Sequence, residues 1–310
     1  MPLALAVDLG GTKVEAALVD ENGSLLSDTR HRRPTGADAT TESLTAAVED
    51  VVTAALAASP DGAIPVGAGV GSAGPIDIGR GSVAPLNLSD AQDFPIRRIV
   101  RDAATAATGT EIATEFALDG LCITLAEHWC GAGRGVQSMM GMIVSTGIGG
   151  GIISGGKPLR GSSGNAGHIG QLEVAGFAGE DVHGLRAHVE RIASGPNIVR
   201  WAQSQGWTGE TGEDLAASAA NGDSLALAAV TRSAHAVGAA IASATALVDL
   251  DMVVIGGGFS HVTPDYLDQV REGRDRYAAF PFMARAEIAP AALGGESPLV
   301  GAAALVFGRA

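Results

Sequence analysis

The stretch Asp8-Leu9-Gly10-Gly11-Thr12-Lys13 decides the fold, because a second glycine turn of similar design, Ser145-Thr146-Gly147-Ile148-Gly149-Gly150-Gly151, occurs far along the chain. Each turn follows a short apolar run, at residues 3–7 and 142–144, and leads into another. This pattern predicts a hairpin whose tip leaves backbone N–H groups open to an anion. One such turn is common. Two indicate a duplicated fold that grips one polyphosphate from both sides, and hence an enzyme that uses a nucleotide.

Length and charge narrow the class of protein. A chain of 310 residues can bury a large core and has room for about two domains. The formal charge of −14 argues against nucleic acid as a partner. The two cysteines, Cys122 and Cys130, form no metal or redox motif and fit a reducing compartment. No signal peptide is recognisable, and the longest apolar run, residues 236–248, is too short to span a bilayer, so we expect a cytoplasmic protein without a membrane partner.

The order of predicted elements indicates an α/β fold. Strands are predicted at residues 3–7, 14–19, 24–29, 66–70, 111–113, 141–144, 151–154, 172–174 and 252–255. Helices are predicted at residues 41–58, 96–107, 118–130, 184–193, 196–204, 213–220, 223–248, 264–277 and 299–307. We expect a small lobe of residues 1–117 and 294–310, a large lobe of residues 118–293, and a ligand in the cleft between them.

Transfer of a phosphoryl group to an alcohol needs a phosphate cradle with Mg²⁺, a general base and a pocket that fixes the hydroxyl. The two turns supply the cradle through Gly10, Gly11, Thr12, Lys13, Thr146, Gly147 and Gly149. Asp8, at a strand end, is expected to hold a Mg²⁺-bound water, with turn capping as the alternative. Lys13 either reaches the phosphates or caps the hairpin.

The chain resembles the ROK family of sugar kinases and regulators. The resemblance rests on the two glycine turns and on three further motifs in the family's order: Gly164-Asn165-Ala166-Gly167-His168-Ile169-Gly170, Ala193-Ser194-Gly195 and Ile255-Gly256-Gly257-Gly258. Residues 93–95 and 126–135 are similar to ROK glucokinases of actinobacterial type. The resemblance implies the actin-like ATPase (ribonuclease H-like) fold, with two lobes around a central cleft. It also implies transfer from Mg-ATP to the 6-hydroxyl of a hexose.

By this resemblance Asp119 stands at the family's catalytic aspartate, where a carboxylate accepts the proton of the sugar hydroxyl. The alternative is a carboxylate that only offsets the dipole at a helix N-terminus. The family usually has Asn before this Asp, but this chain has Leu118, so one polar sugar contact is missing. The identity of the sugar therefore stays open.

Further sugar and nucleotide residues follow from the same resemblance. Asn87, His168 and Glu190 are expected to contact sugar hydroxyls, and Gly74, in a tight turn, to bring the backbone close to the substrate. In the alternative interpretation none of the three side chains binds sugar: Asn87 is an exposed loop residue, His168 is structural and Glu190 is a solvated helix residue. Gly256, Gly257 and Gly258 are expected to let the backbone approach adenosine, or else only to begin a helix.

The chain departs most from the family at the zinc site. Zinc-containing members have a His and then three cysteines, where this chain has Gln171, Asp181, His183 and His188. No cysteine ligand remains, so we expect that the protein binds no zinc. A substitute metal site formed by Asp181, His183 and His188 is the disfavoured alternative.

The leading hypothesis is a cytoplasmic glucokinase that uses ATP and Mg²⁺, and the alternative is an N-acetylmannosamine or N-acetylglucosamine kinase. A ROK transcriptional regulator is disfavoured by the acidic charge and by the seven residues that precede Asp8. A non-catalytic sugar sensor is disfavoured by the presence of Asp119. The resemblance also implies a homo-oligomer, a dimer or tetramer, whose partners are a small sugar and a nucleotide.

Overall fold

The computed structural model describes residues 1–36, 39–84, 93–177 and 188–309. Its strands are β1 Leu3–Leu9, β2 Lys13–Asp20, β3 His31–Pro34, β4 Ala68–Ser72, β5 Ile76–Asp77, β6 Ser82–Val83, β7 Thr114–Leu118, β8 Met139–Val144, β9 Ile148–Ser154, β10 Lys157–Pro158, β11 Met252–Gly256 and β12 Glu287–Pro290. Its helices are α1 Thr41–Ala57, α2 Ile96–Thr108, α3 Asp119–Trp129, α4 Val189–Ala193, α5 Gly195–Ser204, α6 Gly212–Ala220, α7 Ser224–Val248, α8 Tyr266–Tyr277 and α9 Ser297–Val306.

Two five-stranded sheets share one plan. The first has the strand order β3-β2-β1-β4-β7, and the second has the order β10-β9-β8-β11-β12. In each sheet an antiparallel hairpin, β1–β2 or β8–β9, lies beside a strand that runs parallel to the hairpin's first strand. A second parallel strand, β7 or β12, follows next to it. The duplicated fold that the two glycine turns predict is therefore confirmed.

Helices α3 and α9 connect the two sheets. Helix α3 packs on β8 and β9, α9 packs on β1 and β4, and the two helices pack against each other. A Cβ on Gly301 would overlap the carbonyl group of Cys122, so α9 and α3 touch backbone to backbone. Only glycine permits this approach. The first residue of α3, Asp119, consequently lies at the junction of the two sheets.

Each sheet has its own core of aliphatic side chains. One core surrounds β1, β2 and β4 and includes residues of α9, and the other surrounds β8 and β11 and includes much of α7. Each fully buried Val or Leu contributes about 1.5–3 kcal/mol relative to an exposed one. These cores hold the strand ends, and so the turns that follow them, in fixed positions.

Helix α7 is a long apolar element of the second core. Asp223 caps it by accepting hydrogen bonds from the backbone N–H groups of Leu225 and Ala226, both at 2.9 Å. Within the described residues it is the one helix whose length and composition would allow a membrane span, but 67% of its most apolar segment is buried in the protein. This burial is typical of a core helix. The predicted run 236–248 is its second half.

The structure corrects several predicted elements. Residues 24–29 form no regular strand, because Leu25 makes an isolated bridge and Ser27–Thr29 is a short 3-10 turn; the third strand is β3. The strand predicted at 111–113 is β7, three residues later. Residues 172–174 contribute only an isolated bridge between Glu173 and His188. Gly149 to Gly151 belong to β9 rather than to the turn, and β12 was not predicted.

Candidate active site

The first hairpin turn joins β1 to β2 and faces a cavity. The N–H of Gly10 donates to the carbonyl of Lys13 at 2.9 Å and closes the turn. A second bond, from Thr35 Oγ1 to the carbonyl of Gly10 at 3.2 Å, ties the turn to the segment after β3. Gly10 and Gly11 line a cavity of about 290 Å³, which we call the hairpin cavity. The turn is thus closed and positioned without a ligand.

Asp8 is a buried carboxylate next to this turn. It is 6% exposed, and in the first sheet it pairs with Gly71 of β4 and Glu15 of β2. The pKa of Asp8 is raised from 3.8 to about 7, chiefly by burial and then by the carboxylates of Asp119 and Glu15. Lys13 and Arg30 act in the opposite direction. Such a carboxylate is energetically costly unless a proton or a cation neutralises it.

Lys13 is engaged by Glu15 rather than by the cavity. Its Nζ lies 3.1 Å from Glu15 Oε2, and Arg30 and Arg32 also bind this carboxylate, which is 1% exposed. Burial alone would raise the pKa of Glu15, but the bonds from Arg30, Lys13 and Arg32 hold this pKa below its usual value. The pairing supports the reading in which Lys13 braces the hairpin, and a role at the phosphates stays a prediction.

The second hairpin turn is held by Glu190. The N–H of Ser145 donates to the carbonyl of Gly147 at 2.9 Å and closes the turn. Glu190, in the short helix α4, accepts a hydrogen bond from the N–H of Ile148 at 2.8 Å through Oε2. Ser145, Thr146, Gly147 and Gly149 line the hairpin cavity together with Glu190. One carboxylate therefore belongs both to the turn and to the cavity wall.

Asp119 lies between the two turns. It begins α3 directly after β7, and its Oδ1 accepts a hydrogen bond from the N–H of Gly120 at 2.6 Å. Burial raises the pKa of Asp119, while the Gly120 N–H and the nearby His168 act to lower it. A raised pKa makes a carboxylate a better proton acceptor. Asp119 lines the hairpin cavity, together with Gly10 of one turn and Thr146 of the other.

His168 forms another wall of the hairpin cavity. The amide of Asn165 is oriented by Ile76, whose N–H donates to Oδ1 at 2.9 Å and whose carbonyl accepts from Nδ2 at 2.7 Å. His168 Nε2 lies 3.3 Å from this same Oδ1 and therefore donates to it. A Cβ on Gly74 would lie 2.6 Å from Leu118 Cδ2 and 3.0 Å from His168 Nε2, so a side chain at this position would crowd both residues.

A second and larger cavity adjoins the first at Ser145 and Thr146, which line both. It has a volume of about 530 Å³, and we call it the helix cavity. Its other lining residues are Gly195, Pro196, Val199, Arg200, Gln203, Glu210, Thr211, Gly212, Glu213, Ala216, Gly258, Phe259, His261 and Val262. Its mixture of apolar and polar groups and its volume fit a small organic ligand.

A family model described as the ROK family matches residues 4–309. The chain belongs to the ROK family. Its predicted fold class, the α/β actin-like ATPase fold with two lobes around a central cleft, is confirmed, because solved ROK structures superpose on it over nearly the whole chain.

Three relatives illustrate the range of similar ROK proteins. The bifunctional enzyme NanE/NanK of Brucella melitensis is 33% identical over 301 residues, 97% of this chain but 53% of that protein, so the chain spans about half of its length. An N-acetylmannosamine kinase of Citrobacter koseri is 34% identical over 310 residues, 98% of each chain. A ROK family glucokinase of Streptomyces griseus, solved with glucose and AMPPNP, is 29% identical, with 98% of each chain covered and a TM-score of 0.77.

The structure brings together most of the residues that the sequence singled out in this ROK chain. The hairpin cavity is lined by nine of them: Gly10, Gly11, Gly74, Asp119, Thr146, Gly147, Gly149, His168 and Glu190. Gly258 lines the helix cavity. Asp8, Thr12, Lys13, Gly256 and Gly257 line neither of these two cavities. Asn87, Asp181 and His183 lie outside the described residues.

The structure describes only part of the segment in which the sequence offers metal-binding side chains. Within residues 1–36, 39–84, 93–177 and 188–309, no group of three or more His, Cys, Asp or Glu side chains is arranged to hold a metal ion. His188 Nδ1 lies 3.1 Å from Gln171 Oε1, so this nitrogen is already engaged. Because Asp181 and His183 are not described, the expected absence of zinc stays a prediction.

Sequence reasoning missed most of the helix cavity. Gln171 lines the hairpin cavity, and the sequence marked it as a departure from the zinc motif that leaves the identity of the sugar open. Helix α5 supplies Pro196 and Arg200 to the helix cavity, and the first turn of α6 supplies Glu213. The available signals were Pro196 at the start of a helix and the capping box of Thr211 and Asp214. These signals mark helix ends but name no ligand.

Proposed function

We propose that this chain is an ATP-dependent hexose kinase that transfers the γ-phosphate of Mg-ATP to the 6-hydroxyl of glucose. The observation that carries the proposal is the position of Asp119 in a cavity whose walls include both glycine turns. Phosphoryl transfer to an alcohol needs a proton acceptor beside a phosphate cradle. The raised pKa of Asp119 suits the role of general base.

The adjoining helix cavity is the proposed binding site of the nucleotide. Val199, Ala216 and Phe259 offer apolar contacts to an adenine ring, and Gly258 leaves the backbone accessible. The triphosphate would extend past Ser145 and Thr146, which line both cavities, towards the two hairpin turns. Backbone N–H groups of glycine turns are suited to phosphate oxygens. Gly256 and Gly257 would support this site from the end of β11.

Mg²⁺ fits the chemistry of Asp8. Magnesium prefers oxygen ligands and is commonly held by one or two carboxylates together with substrate phosphates. Asp8 is a buried carboxylate with a pKa of about 7, so a cation nearby would relieve the cost of its charge. Bound there, the ion would supply charge neutralisation at the phosphates. Asp8 would hold it directly or through a bound water.

The sugar would lie in the hairpin cavity. Glu190 and His168 offer polar side chains to the sugar hydroxyls, Gly74 permits close backbone approach, and Asn87 is proposed from the family pattern. We further propose that the lobe of residues 1–117 and 294–310 closes on the lobe of residues 118–293 and excludes water, which protects ATP from hydrolysis. A cytoplasmic homo-oligomer remains part of the proposal.

An N-acetylhexosamine kinase is the alternative. The N-acetylmannosamine kinase of Citrobacter koseri is 34% identical over 98% of both chains, while the glucokinase of Streptomyces griseus is 29% identical over a similar share. These values are too close to rank the two sugars. The motif that contains His168 also resembles N-acetylmannosamine kinases.

A coupled ADP-release assay tests the proposal. Mg-ATP is offered with glucose, mannose, N-acetylglucosamine or N-acetylmannosamine, and with no sugar as the blank. Turnover that depends on glucose supports the glucokinase reading. Turnover only with an acetylated sugar establishes the alternative. No turnover with any of the four would contradict both readings.

A further inference from the structure

The side chain of Asn165 joins two parts of the fold that lie 89 residues apart in the chain. Its Oδ1 accepts a hydrogen bond from the N–H of Ile76 at 2.9 Å, and its Nδ2 donates to the carbonyl of the same residue at 2.7 Å. Ile76 lies in β5, which forms with β6 a two-stranded sheet of its own. The amide therefore binds β5 as a neighbouring strand would, through one donor and one acceptor of a single residue.

The hydrogen bonds of Asn165 use the whole amide and fix its orientation. The N–H of Ile76 can only donate and the carbonyl of Ile76 can only accept, so Oδ1 and Nδ2 cannot exchange places. Oδ1 also accepts from Nε2 of His168 at 3.3 Å, and Nδ2 also donates to Oγ of Ser163 at 3.2 Å. Both donors and both acceptor positions of the amide are thus engaged.

The backbone around Asn165 packs on β5 as well. Gly164 has a φ of +88°, and a Cβ there would lie 3.0 Å from Ile76 Cδ1 and from Ile78 Cβ. The N–H of Ile78 donates to the carbonyl of Ser163 at 3.4 Å. Because Ile76 is 5% exposed, its N–H and carbonyl would be costly to leave without partners. The contact is a packed junction that includes more than one hydrogen bond.

This junction lies beside the hairpin cavity and connects two of its walls. Gly74 lines the cavity two residues before Ile76, and His168 lines it three residues after Asn165. Gly74 and Ile76 belong to one of the two lobes proposed above, whereas Asn165 and His168 belong to the other. Asn165 itself lines neither of the two cavities described above, so any effect on a ligand must pass through its partners.

We propose that Asn165 is a positioning residue whose amide forms a clasp between the two lobes and sets the spacing of Gly74 and His168 across the sugar site. The proposal rests on the sugar kinase activity proposed above, and it names the contact that holds the lobes together beside the sugar. A sugar that binds between these walls must stabilise the clasp, and the clasp must stabilise the bound sugar to the same extent.

Steady-state kinetics tests the effect on the sugar, with whichever of the four assayed sugars the wild-type protein phosphorylates fastest. Asn165→Ala should raise the KM for this sugar about tenfold, the equivalent of one hydrogen bond. The kcat should stay within about threefold and the KM for ATP within about twofold of the wild type, because Asp119 and the two glycine turns are unchanged. An unchanged KM for the sugar would overturn the positioning role.

Two further variants and a control accompany Asn165→Ala. Asn165→Asp places a carboxylate oxygen against the Ile76 carbonyl and should raise the KM for the sugar at least as much. Gly164→Ala keeps the amide but pushes the loop away from β5, and the double variant with Asn165→Ala should be no worse than the more affected single variant. Asn22→Ala, at an exposed turn after β2, is the matched control and should behave as the wild type.

Hydrogen exchange of the Ile76 N–H, followed by NMR, tests the clasp without any turnover. This N–H should exchange at least about tenfold more slowly in the wild-type protein than in Asn165→Ala, with the amides of β1 unchanged. Sugar at about ten times its Kd should slow the exchange in the wild-type protein about tenfold more, and about twofold at the same concentration in Asn165→Ala. Such coupling is expected only if opening of the clasp disrupts the sugar site.

The outcomes separate the clasp from the proposed function. Exchange of Ile76 as fast in the wild-type protein as in Asn165→Ala would overturn the clasp. Slow exchange that a phosphorylated sugar does not alter would overturn the positioning role. Slow exchange in a wild-type protein that phosphorylates none of the four sugars would overturn the proposed kinase activity and with it the sugar role of Asn165, while leaving the contact between the lobes in place.

Discussion

A Cβ on Gly120 would lie 2.7 Å from the amide nitrogen of Gly150 and closer still to its carbonyl oxygen, so α3 and β9 meet backbone to backbone. The contact fixes the start of α3, and hence Asp119, against the strand that follows the second turn. Only glycine at position 120 permits it. Asp119 is positioned by this packing together with the hydrogen bond that its Oδ1 accepts from the N–H of Gly120.

Gly120→Ala should therefore damage both folding and turnover. The added methyl group must displace α3 from β9, which we expect to lower the free energy of unfolding by about 2–3 kcal/mol. A displacement of about 1 Å at Asp119 should lower kcat about 100-fold. Urea denaturation and sugar-dependent turnover measure the two effects. Gly295→Ala is the matched control, because no atom lies within 4 Å of its added Cβ. This variant should lower the free energy of unfolding by less than about 0.5 kcal/mol. Equal effects in both variants would refute the packing argument.

Asp119→Asn should separate catalysis from binding. Asn keeps the shape and the acceptor for the Gly120 N–H but is a very weak base, so kcat should fall about 10²–10⁴-fold. Sugar affinity, measured by calorimetry, should change much less. Turnover within tenfold of the wild type would show that another group accepts the proton.

Asp8→Asn should raise stability above neutral pH. The pKa of Asp8 is about 7 in the folded protein against 3.8 as its ordinary value. Between these values the folded protein binds one more proton than the unfolded chain, so this group makes the free energy of unfolding fall as pH rises. The decrease in the free energy of unfolding that this group causes is at most about 4 kcal/mol.

Urea denaturation without Mg²⁺ or nucleotide, at pH 5 and at pH 8, measures this effect. Asp8→Asn should be more stable than the wild type at pH 8, and the gain should be much smaller at pH 5, where wild-type Asp8 is already protonated. The pH 5 comparison is thus the control for packing changes. The same difference at both pH values would mean that the pKa of Asp8 is not raised.

Glu127 is a buried connector between α3 and the segment before α9. It is fully buried and accepts hydrogen bonds from the N–H groups of Ala132, Ala292 and Leu293, at 2.9–3.1 Å. Glu127→Ala leaves these donors unpaired and should lower the free energy of unfolding by about 3 kcal/mol. Glu127→Gln keeps one acceptor oxygen and should lower the free energy of unfolding clearly less than Glu127→Ala. Equal losses in a denaturation experiment would indicate that packing, rather than hydrogen bonding, sets the cost.

The sequence was informative where the determining interactions are local. Both hairpins follow from glycine turns between apolar runs, and α7 follows from a long apolar pattern after the capping residue Asp223. Asp119 was singled out by the family resemblance, and the structure puts it at the start of a helix as expected. These features depend on neighbours within a few residues.

The features that the sequence could not show depend on partners distant along the chain. Glu287–Pro290 has a weak strand pattern and becomes β12 because it pairs with β11. The contact between Gln171 and His188, 17 positions apart, accompanies a backbone bridge between Glu173 and His188. The lining of the helix cavity combines α5, α6 and the residues after β11, whose shared face no local pattern reveals.

Identification of the product tests the central claim most directly. The wild-type protein and Asp119→Asn are incubated with glucose and Mg-ATP, and ³¹P NMR identifies the phosphorylated product. We predict glucose 6-phosphate from the wild-type protein and at most a trace from Asp119→Asn. A sugar phosphate formed equally by both proteins, or none from the folded wild-type protein, would contradict the account.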